Sequence, residues 1–238
     1  MIELYNDFLG INPNTRTEWS GMDSEEQFAK SLLSQPKYWY YRDKKITYSY
    51  NSTGHRCKNF SDVNLDNYLL FSGCSYTEGV GLELEKTYPF VVSERLGCDY
   101  YNLAIGGTGI DVVTYNILTW IGKVKSLPKA IIIQWPEITR VVSSQDGLRF
   151  EPNGVWNSDY DTSAFINTGL DIGFFSARDL LNRQLIRSVS PVPVIILGNI
   201  ATPGKVADYA RDCAHPGITA NKASADLVCA KLKPFLRS

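Results

Sequence analysis

Residues 68–79 read YLLFSGCSYTEG, a short apolar run followed by a serine, Ser75, between two glycines. A strand without regular polar alternation is typical of a sheet that is covered on both faces. In parallel sheets of this kind, functional groups stand in the loops that leave the carboxyl ends of the strands. The loop at residues 73–79 is therefore the first candidate for a functional site.

Beyond this stretch, strand patterns and helix patterns alternate to the end of the chain. Short apolar strand candidates follow at residues 100–103, 130–135 and 192–197. Apolar residues at helical spacing predict helices over residues 88–96, 110–124, 174–189 and 219–232. This alternation predicts an α/β protein, a three-layer α/β/α sandwich with a central, mostly parallel sheet.

The first 66 residues have a different character, polar and aromatic, and we interpret them as an N-terminal extension packed on a main domain of residues 67–238. One helix is expected over residues 24–33, with Ser24 as its cap. Residues 45–50 alternate like a strand, and residues 51–54 read as a turn. The aromatic run at residues 38–41 is expected to pack the extension onto the domain.

Charge and hydropathy exclude several classes of partner. The 238 residues include 24 basic and 25 acidic side chains, for a net charge of −1, without a Lys/Arg run. We therefore expect no nucleic-acid partner. The sequence contains no apolar run long enough to span a bilayer. The N-terminus lacks the pattern of a secretory signal, so we expect a cytoplasmic protein.

The five cysteines are spaced irregularly, and no pair has C-x-x-C spacing. A disulfide framework or a zinc site is therefore not expected, and free thiols fit a reducing compartment. We predict no metal and no cofactor. The sequence does not address the oligomeric state.

Two further loops carry residue types that suit acyl chemistry. Residues 102–109, NLAIGGTG, precede a helix and could offer backbone N–H groups to a developing negative charge, although a simple tight turn explains the glycines equally well. Near the C-terminus, Asp212 precedes His215 by three positions. A serine hydroxyl needs a base such as histidine, and an acid can hold the imidazole in one tautomer.

Each of these loops has an ordinary structural explanation when it is taken alone. A Ser-Gly turn is common, and a surface histidine beside an incidental aspartate is equally plausible. The combination is more specific, because all three loops follow predicted strands. The other histidine of the chain, His55, is interpreted as structural. It is the alternative base if His215 lies far from Ser75.

The three loops together resemble the conserved blocks of SGNH/GDSL hydrolases. Residues 73–79 resemble the Gly-Asp-Ser block, residues 102–108 the second block, and residues 212–216 the final block. The resemblance implies the flavodoxin-like fold of that family and a carboxylic ester hydrolase. It also implies that Ser75 is acylated, His215 is the general base and Asp212 orients it. The amides of Ser75 and Gly107 would form the oxyanion hole.

The chain departs from the family pattern at two places. Cys74 stands where the family usually has Asp, and we interpret it as a small buried residue in preference to a nucleophile. The third block, residues 134–140, lacks the Asn that usually completes the oxyanion hole. Gln134 could donate an amide N–H in its place, whereas an ionised Glu137 near the oxyanion would be unfavourable.

The long segment at residues 143–173 follows the third block and has no clear apolar period. It contains Phe150, Trp156, Tyr160 and Phe165 among polar residues, so it either shapes a pocket for a sugar or caps the sheet edge. The leading hypothesis is an esterase that removes an acyl group, such as acetyl, from a carbohydrate or other small molecule. The alternatives are a non-catalytic glycan-binding module and an O-acyltransferase that uses the same residues.

Overall fold

The computed structural model describes residues 13–145, 149–153, 172–198 and 208–235. Its helices are α1 (Glu25–Ser34), α2 (Ser75–Glu78), α3 (Tyr88–Leu96), α4 (Ile110–Lys123), α5 (Ile172–Val189) and α6 (Ile218–Leu232). Its strands are β1 (Arg16–Thr17), β2 (Tyr48–Ser49), β3 (Tyr68–Ser72), β4 (Asp99–Asn102), β5 (Ile131–Gln134), β6 (Val141–Gln145), β7 (Arg149–Asn153) and β8 (Val194–Leu197).

In the described part of the chain, four parallel strands form the central sheet in the order β4-β3-β5-β8. Leu70 lies opposite Tyr101 on one side and Ile131 on the other. The middle strands are fully buried, as their uninterrupted apolar sequences predicted. The expected α/β class and parallel sheet are therefore confirmed.

The order of the strands explains how helices cover both faces. The chain passes from β3 to β4 through α3, and then crosses back over β3 to reach β5 through α4. Because such crossovers are right-handed, a reversal of direction places α3 and α4 on opposite faces. In agreement, α3 packs against α6, whereas α4 packs against α5. The reversal falls beside β3, and in open α/β sheets ligands bind next to such a reversal, at the carboxyl ends of the strands.

Local signals set the helix boundaries. The Ser24 hydroxyl accepts a hydrogen bond from the backbone N–H of Gln27 at 3.1 Å, so the expected cap of α1 is confirmed. Helix α3 ends at Gly97, which adopts a left-handed φ of +59°. Helices α4, α5 and α6 lie within two residues of their predicted limits.

Two segments differ from what their sequence patterns suggest. Of the alternating residues 45–50, only two form a strand, β2. The strand is short because its partner β1 is also two residues long and the turn at residue 51 follows directly. The start of the long segment at residues 143–173, which has no apolar period, belongs to an antiparallel hairpin of β6 and β7. Backbone pairing forms such a hairpin without an alternating apolar pattern.

A second, smaller apolar cluster joins residues 41–50 to the rest of the fold. Tyr41, Ile46 and Tyr48 are buried there against Leu82 and Ala210. The neighbouring aromatic run contributes unequally: Tyr41 is 3% exposed, but Tyr38 is 89% exposed. A domain boundary at residue 66 stays a prediction.

Candidate active site

The turn after β3 places Ser75 at the first position of α2. Gly73 has a φ of +154°, and a Cβ atom there would lie 2.4 Å from Oγ1 of Thr77 and 2.8 Å from the backbone oxygen of Gln134. A larger residue does not fit so close an approach. Gly79 ends the helix with a φ of +83°. The two glycines thus let the chain reverse tightly and present Ser75 at the end of the sheet.

Asp212 and His215 lie on the loop that precedes α6. Oδ1 of Asp212 accepts hydrogen bonds from the backbone N–H groups of Ala214 at 3.1 Å and His215 at 3.0 Å. Cys213 adopts a left-handed φ of +56°, which folds the loop back over the carboxylate. The loop's own backbone therefore fixes the Asp212 side chain and leaves Oδ2 to contact Nδ1 of His215.

The structure brings the three predicted residues into one hydrogen-bonded chain. Nε2 of His215 lies 2.8 Å from Oγ of Ser75, and Nδ1 of the same ring is hydrogen-bonded to Oδ2 of Asp212. All three residues are buried, with 8% of Ser75, 7% of His215 and 1% of Asp212 exposed. This is the arrangement in which a serine hydroxyl can pass its proton to an imidazole.

The charge of the Asp212 carboxylate determines which nitrogen of the His215 ring donates a hydrogen bond to it. Burial favours its neutral form, but the hydrogen bonds from the His215 ring and from two backbone amides outweigh this effect and lower the pKa of Asp212. The resulting carboxylate can only accept, so Nδ1 of His215 donates to it. Nε2 is then free to accept the Ser75 proton.

The glycine loop after β4 lies directly beside the serine. Asn102 anchors its start, donating from Nδ2 to the Thr77 oxygen at 2.9 Å and accepting from the Ala104 amide at 3.1 Å. A Cβ atom on Gly106 would lie 3.8 Å from Cβ of Ser75. Gly107, the predicted oxyanion donor, follows with a φ of +76°. The role of its amide, like that of the Ser75 amide, stays a prediction.

The third block begins at the end of β5, the strand that pairs with β3. Gln134 ends β5, is 2% exposed, and accepts the Thr77 hydroxyl on Oε1 at 3.3 Å. Glu137 accepts the Thr139 hydroxyl at 2.9 Å, so its carboxylate has a partner within its own loop. Arg178 of α5 donates to two backbone oxygens of this loop, at residues 138 and 140, both at 2.7 Å. Gln134 as an oxyanion donor stays a prediction.

Two residues that could have competed for the catalytic roles occupy structural positions. Cys74 is 2% exposed at the N-cap of α2, as expected for a small buried residue. His55 is fully buried, with Nδ1 hydrogen-bonded to the Thr53 hydroxyl at 3.0 Å and its ring packed edge-on against Tyr101. The alternative base is not needed, because His215 reaches Ser75 directly.

Sequence reasoning missed several residues that support the site. The ring of Tyr76 packs edge-on against His215, with centroids 5.3 Å apart. Glu78 is buried one helical turn after Ser75 and hydrogen-bonds to Tyr50 of the N-terminal segment. A position next to Ser75, and a spacing of three residues from it, are the signals that could have identified Tyr76 and Glu78.

Some predictions fall outside the described part of the chain. Trp156, Tyr160 and Phe165 belong to residues 154–171, and the side chain of Phe150 is likewise undescribed, so their role in a pocket stays a prediction. All five cysteines are free thiols. Among the described residues, no cluster of three His, Cys, Asp or Glu side chains could hold a metal ion. None of the helices described has both the length and the apolar character that crossing a bilayer requires.

Comparison with known proteins returns similar solved structures only. No protein-family model and no curated protein match the chain. The crystal structure of TesA is 15% identical with a TM-score of 0.46, over 71% of this chain and 99% of that chain. A carbohydrate esterase family 2 enzyme with a carbohydrate-binding domain, from Corynascus thermopiles (Myceliophthora fergusii), is 15% identical with a TM-score of 0.47, over 71% and 66%.

A third similar structure belongs to the family that the sequence blocks resemble. It is a member of the lipolytic protein G-D-S-L family from Veillonella parvula DSM 2008, 14% identical with a TM-score of 0.37 over 72% of this chain and 99% of that chain. A protein described as a lipolytic protein of the G-D-S-L family is therefore among those to which this chain is similar. The similarity concerns the fold.

Proposed function

We propose that this protein is a serine hydrolase of the SGNH/GDSL type that cleaves carboxylic esters through an acyl-enzyme. The observation that carries the proposal is the buried chain from Ser75 through His215 to Asp212. A general base must lie within hydrogen-bond reach of the proton that it removes, and Nε2 of His215 lies 2.8 Å from Oγ of Ser75. The carboxylate on the far side of the ring stabilises the imidazolium that then forms.

In the proposed reaction, Oγ of Ser75 attacks the ester carbonyl carbon while His215 takes its proton on Nε2. The bond to the alcohol oxygen then breaks, and His215 returns the proton to that oxygen, which leaves an acyl group on Ser75. Water, deprotonated by His215, attacks the same carbonyl, and the acid departs as Ser75 regains its proton. The Ser75 and Gly107 amides and the Gln134 side chain are the proposed donors to the oxyanion.

As substrate we propose a small acyl ester, with O-acetyl groups on carbohydrate as the leading class. The Tyr76 ring stands beside the catalytic imidazole, where an aromatic face could pack against a sugar. This substrate class follows the sequence hypothesis. A panel of p-nitrophenyl esters of increasing chain length, together with acetylated xylan, tests it, and we expect acetyl to be preferred.

The test of the activity itself is covalent labelling with a fluorophosphonate probe, followed by intact mass, alongside hydrolysis of p-nitrophenyl acetate. The wild-type protein should gain one label and turn the ester over, whereas Ser75→Ala should lose both. Ser72→Ala is a matched control, because Ser72 is a buried serine three positions earlier whose Oγ has no hydrogen-bond partner among the residues that the structure describes. It should behave like the wild type.

The remaining outcomes address the alternatives. A folded wild-type protein that takes no label would contradict the proposed activity and support a glycan-binding module instead. Faster release of the acyl group on addition of a sugar alcohol, with an acylated sugar as product, would identify a transferase that uses the same residues.

A further inference from the structure

Glu78 is a buried acid that the proposed triad does not use. It occupies the last position of α2, three residues after Ser75, so the two side chains lie on the same face of one helical turn. Glu78 is 2% exposed. A buried carboxyl group needs polar neighbours, and those of Glu78 come from two distant segments of the chain.

The first partner is the N-terminal segment. The hydroxyl of Tyr50 donates to Oε1 of Glu78 at 2.7 Å, and the same hydroxyl lies 2.8 Å from Oγ of Ser20. Tyr50 is itself buried, which isolates this contact from solvent. The carboxyl of Glu78 therefore connects the helix that carries the nucleophile to residues far upstream.

The second partner is the glycine loop. The backbone of Gly106 lies against the carboxyl group of Glu78 and favours its charged form. The approach is close, because a Cβ atom on Gly106 would lie only 2.9 Å from Oε2 of Glu78 and 3.8 Å from Cβ of Ser75. The carboxyl group of Glu78 therefore limits how closely the loop that contains Gly107 can approach Ser75.

Two cationic or ionisable groups also face this carboxyl. Arg56 is 1% exposed and donates to the backbone oxygens of Glu78 at 3.3 Å and Gly79 at 2.5 Å, while its guanidinium stacks over the Tyr48 ring. Burial raises the pKa of Glu78, and the Tyr50 hydrogen bond, the charge of Arg56, the Gly106 amide and His215 oppose that rise. Each contact ties the end of α2 to a different part of the site.

We propose that Glu78 is a positioning residue: its carboxyl group holds the Gly106 loop at its working distance from Ser75 and, through Tyr50, makes the N-terminal segment part of the site. This inference rests on the proposed hydrolase for its kinetic consequence only. The contact between the Glu78 carboxyl and the Gly106 amide can be measured whether or not the protein is an enzyme.

The kinetic test compares Glu78→Ala, Glu78→Gln and the control Glu85→Ala, an exposed acid seven residues further on. In the alanine variant, the Gly106 loop loses its support beside the proposed oxyanion hole. The kcat for p-nitrophenyl acetate should therefore fall by about 100-fold with little change in KM. Glutamine can offer its oxygen to Gly106 and its NH₂ group to the Tyr50 oxygen, and should recover kcat to within about 10-fold of the wild type.

The structural test is hydrogen exchange of the Gly106 amide, followed by NMR on glycine-labelled protein and assigned with Gly106→Ala. Exchange should accelerate at least about tenfold in Glu78→Ala and stay close to wild type in Glu78→Gln. Unchanged exchange in a folded Glu78→Ala protein would overturn the proposal, as would a kcat equal to that of the wild type. If only the exchange responds, while the wild type neither labels nor turns over, the hydrolase is wrong and the positioning contact stands.

If Glu78→Ala fails to fold, Tyr50→Phe decides the question. It removes only the hydroxyl that donates to Glu78 and retains the ring in its apolar cluster. A folded Tyr50→Phe protein should show faster Gly106 exchange and a kcat lowered by about threefold to tenfold. Wild-type values for both would overturn the proposal.

Discussion

Nε2 of His215 lies 2.8 Å from Oγ of Ser75, although 140 positions separate the two residues in the chain. Ser75 follows the carboxyl end of β3, beside the point where the strand order reverses, and His215 lies on the loop that precedes α6. The sheet brings them to the same edge. The loop backbone around Asp212 then turns the imidazole so that one nitrogen faces the serine.

Replacement of Asp212 tests whether the tautomer of the ring matters. An Asn at this position keeps the oxygen that accepts the loop amides but can present its NH₂ group to Nδ1 of His215. Nε2 would then carry the proton and could not accept one from Ser75. We expect kcat to fall by about 10³- to 10⁴-fold. Steady-state hydrolysis of p-nitrophenyl acetate measures this, with the surface variant Asp226→Asn as the control, and a loss below tenfold would contradict the assigned tautomer.

Replacement of Gln134 tests whether the third block contributes a hydrogen-bond donor to the proposed oxyanion hole. Its Oε1 is engaged by the Thr77 hydroxyl, so the NH₂ group is the part available to a substrate oxygen. If that group donates in the transition state, Gln134→Ala should lower kcat by about 100-fold while KM changes little. If the substitution leaves kcat unchanged, only backbone N–H groups donate to the oxyanion.

The buried His55 makes stability depend on pH in a range where few other groups titrate. Burial lowers its pKa to about 3, well below the value of about 6.5 for an exposed histidine. Between these values the unfolded chain binds the proton and the folded protein does not, so stability falls as pH drops below about 6.5. His55→Asn removes this titrating group. Between pH 7.5 and 5.5, the free energy of unfolding of the variant should therefore fall by about 1.4 kcal/mol less than that of the wild type.

Urea unfolding of the wild type and His55→Asn at both pH values checks this prediction. The variant is expected to be less stable at pH 7.5, because the edge-on packing against Tyr101 is lost. The informative quantity is the difference between the two pH values. Equal falls in the wild type and the variant would show that His55 is protonated, or exposed, in the folded protein.

A buried ion pair supports the loop that contains Asp212 and His215 from the N-terminal side. Arg211 precedes Asp212 in the chain and contacts both oxygens of Asp23, with Nε 2.9 Å from Oδ1 and Nη2 2.7 Å from Oδ2. Both side chains are almost fully buried. Asp23→Asn leaves the guanidinium without its counter-charge and should destabilise the protein by about 3–5 kcal/mol.

Urea unfolding also measures this loss, and the exposed pair of Glu26 and Lys30 supplies the control. Glu26→Gln should leave the unfolding midpoint unchanged, because solvent screens that pair. A loss below about 1 kcal/mol in Asp23→Asn would mean that the buried pair is not needed to hold the loop.

Much of the architecture could be read from the sequence because its signals are local. Uninterrupted apolar runs identified the strands of the parallel sheet, and helical spacing bounded by Ser24 or Gly97 identified the helices. The hairpin of β6 and β7 lacked such a signal, since pairing between backbones leaves little trace in side-chain periodicity.

The sequence by itself determined the fold class, the strand ends and the three candidate residues of the triad, because each depends on residue type and spacing within a short window. Only the tertiary structure decided that Ser75, His215 and Asp212 meet, that His55 is buried elsewhere, and that Glu78 contacts Tyr50 and the Gly106 loop. These are contacts between segments far apart in the chain. Their distances depend on how the sheet twists and how the loops fold back, which short-range patterns do not specify.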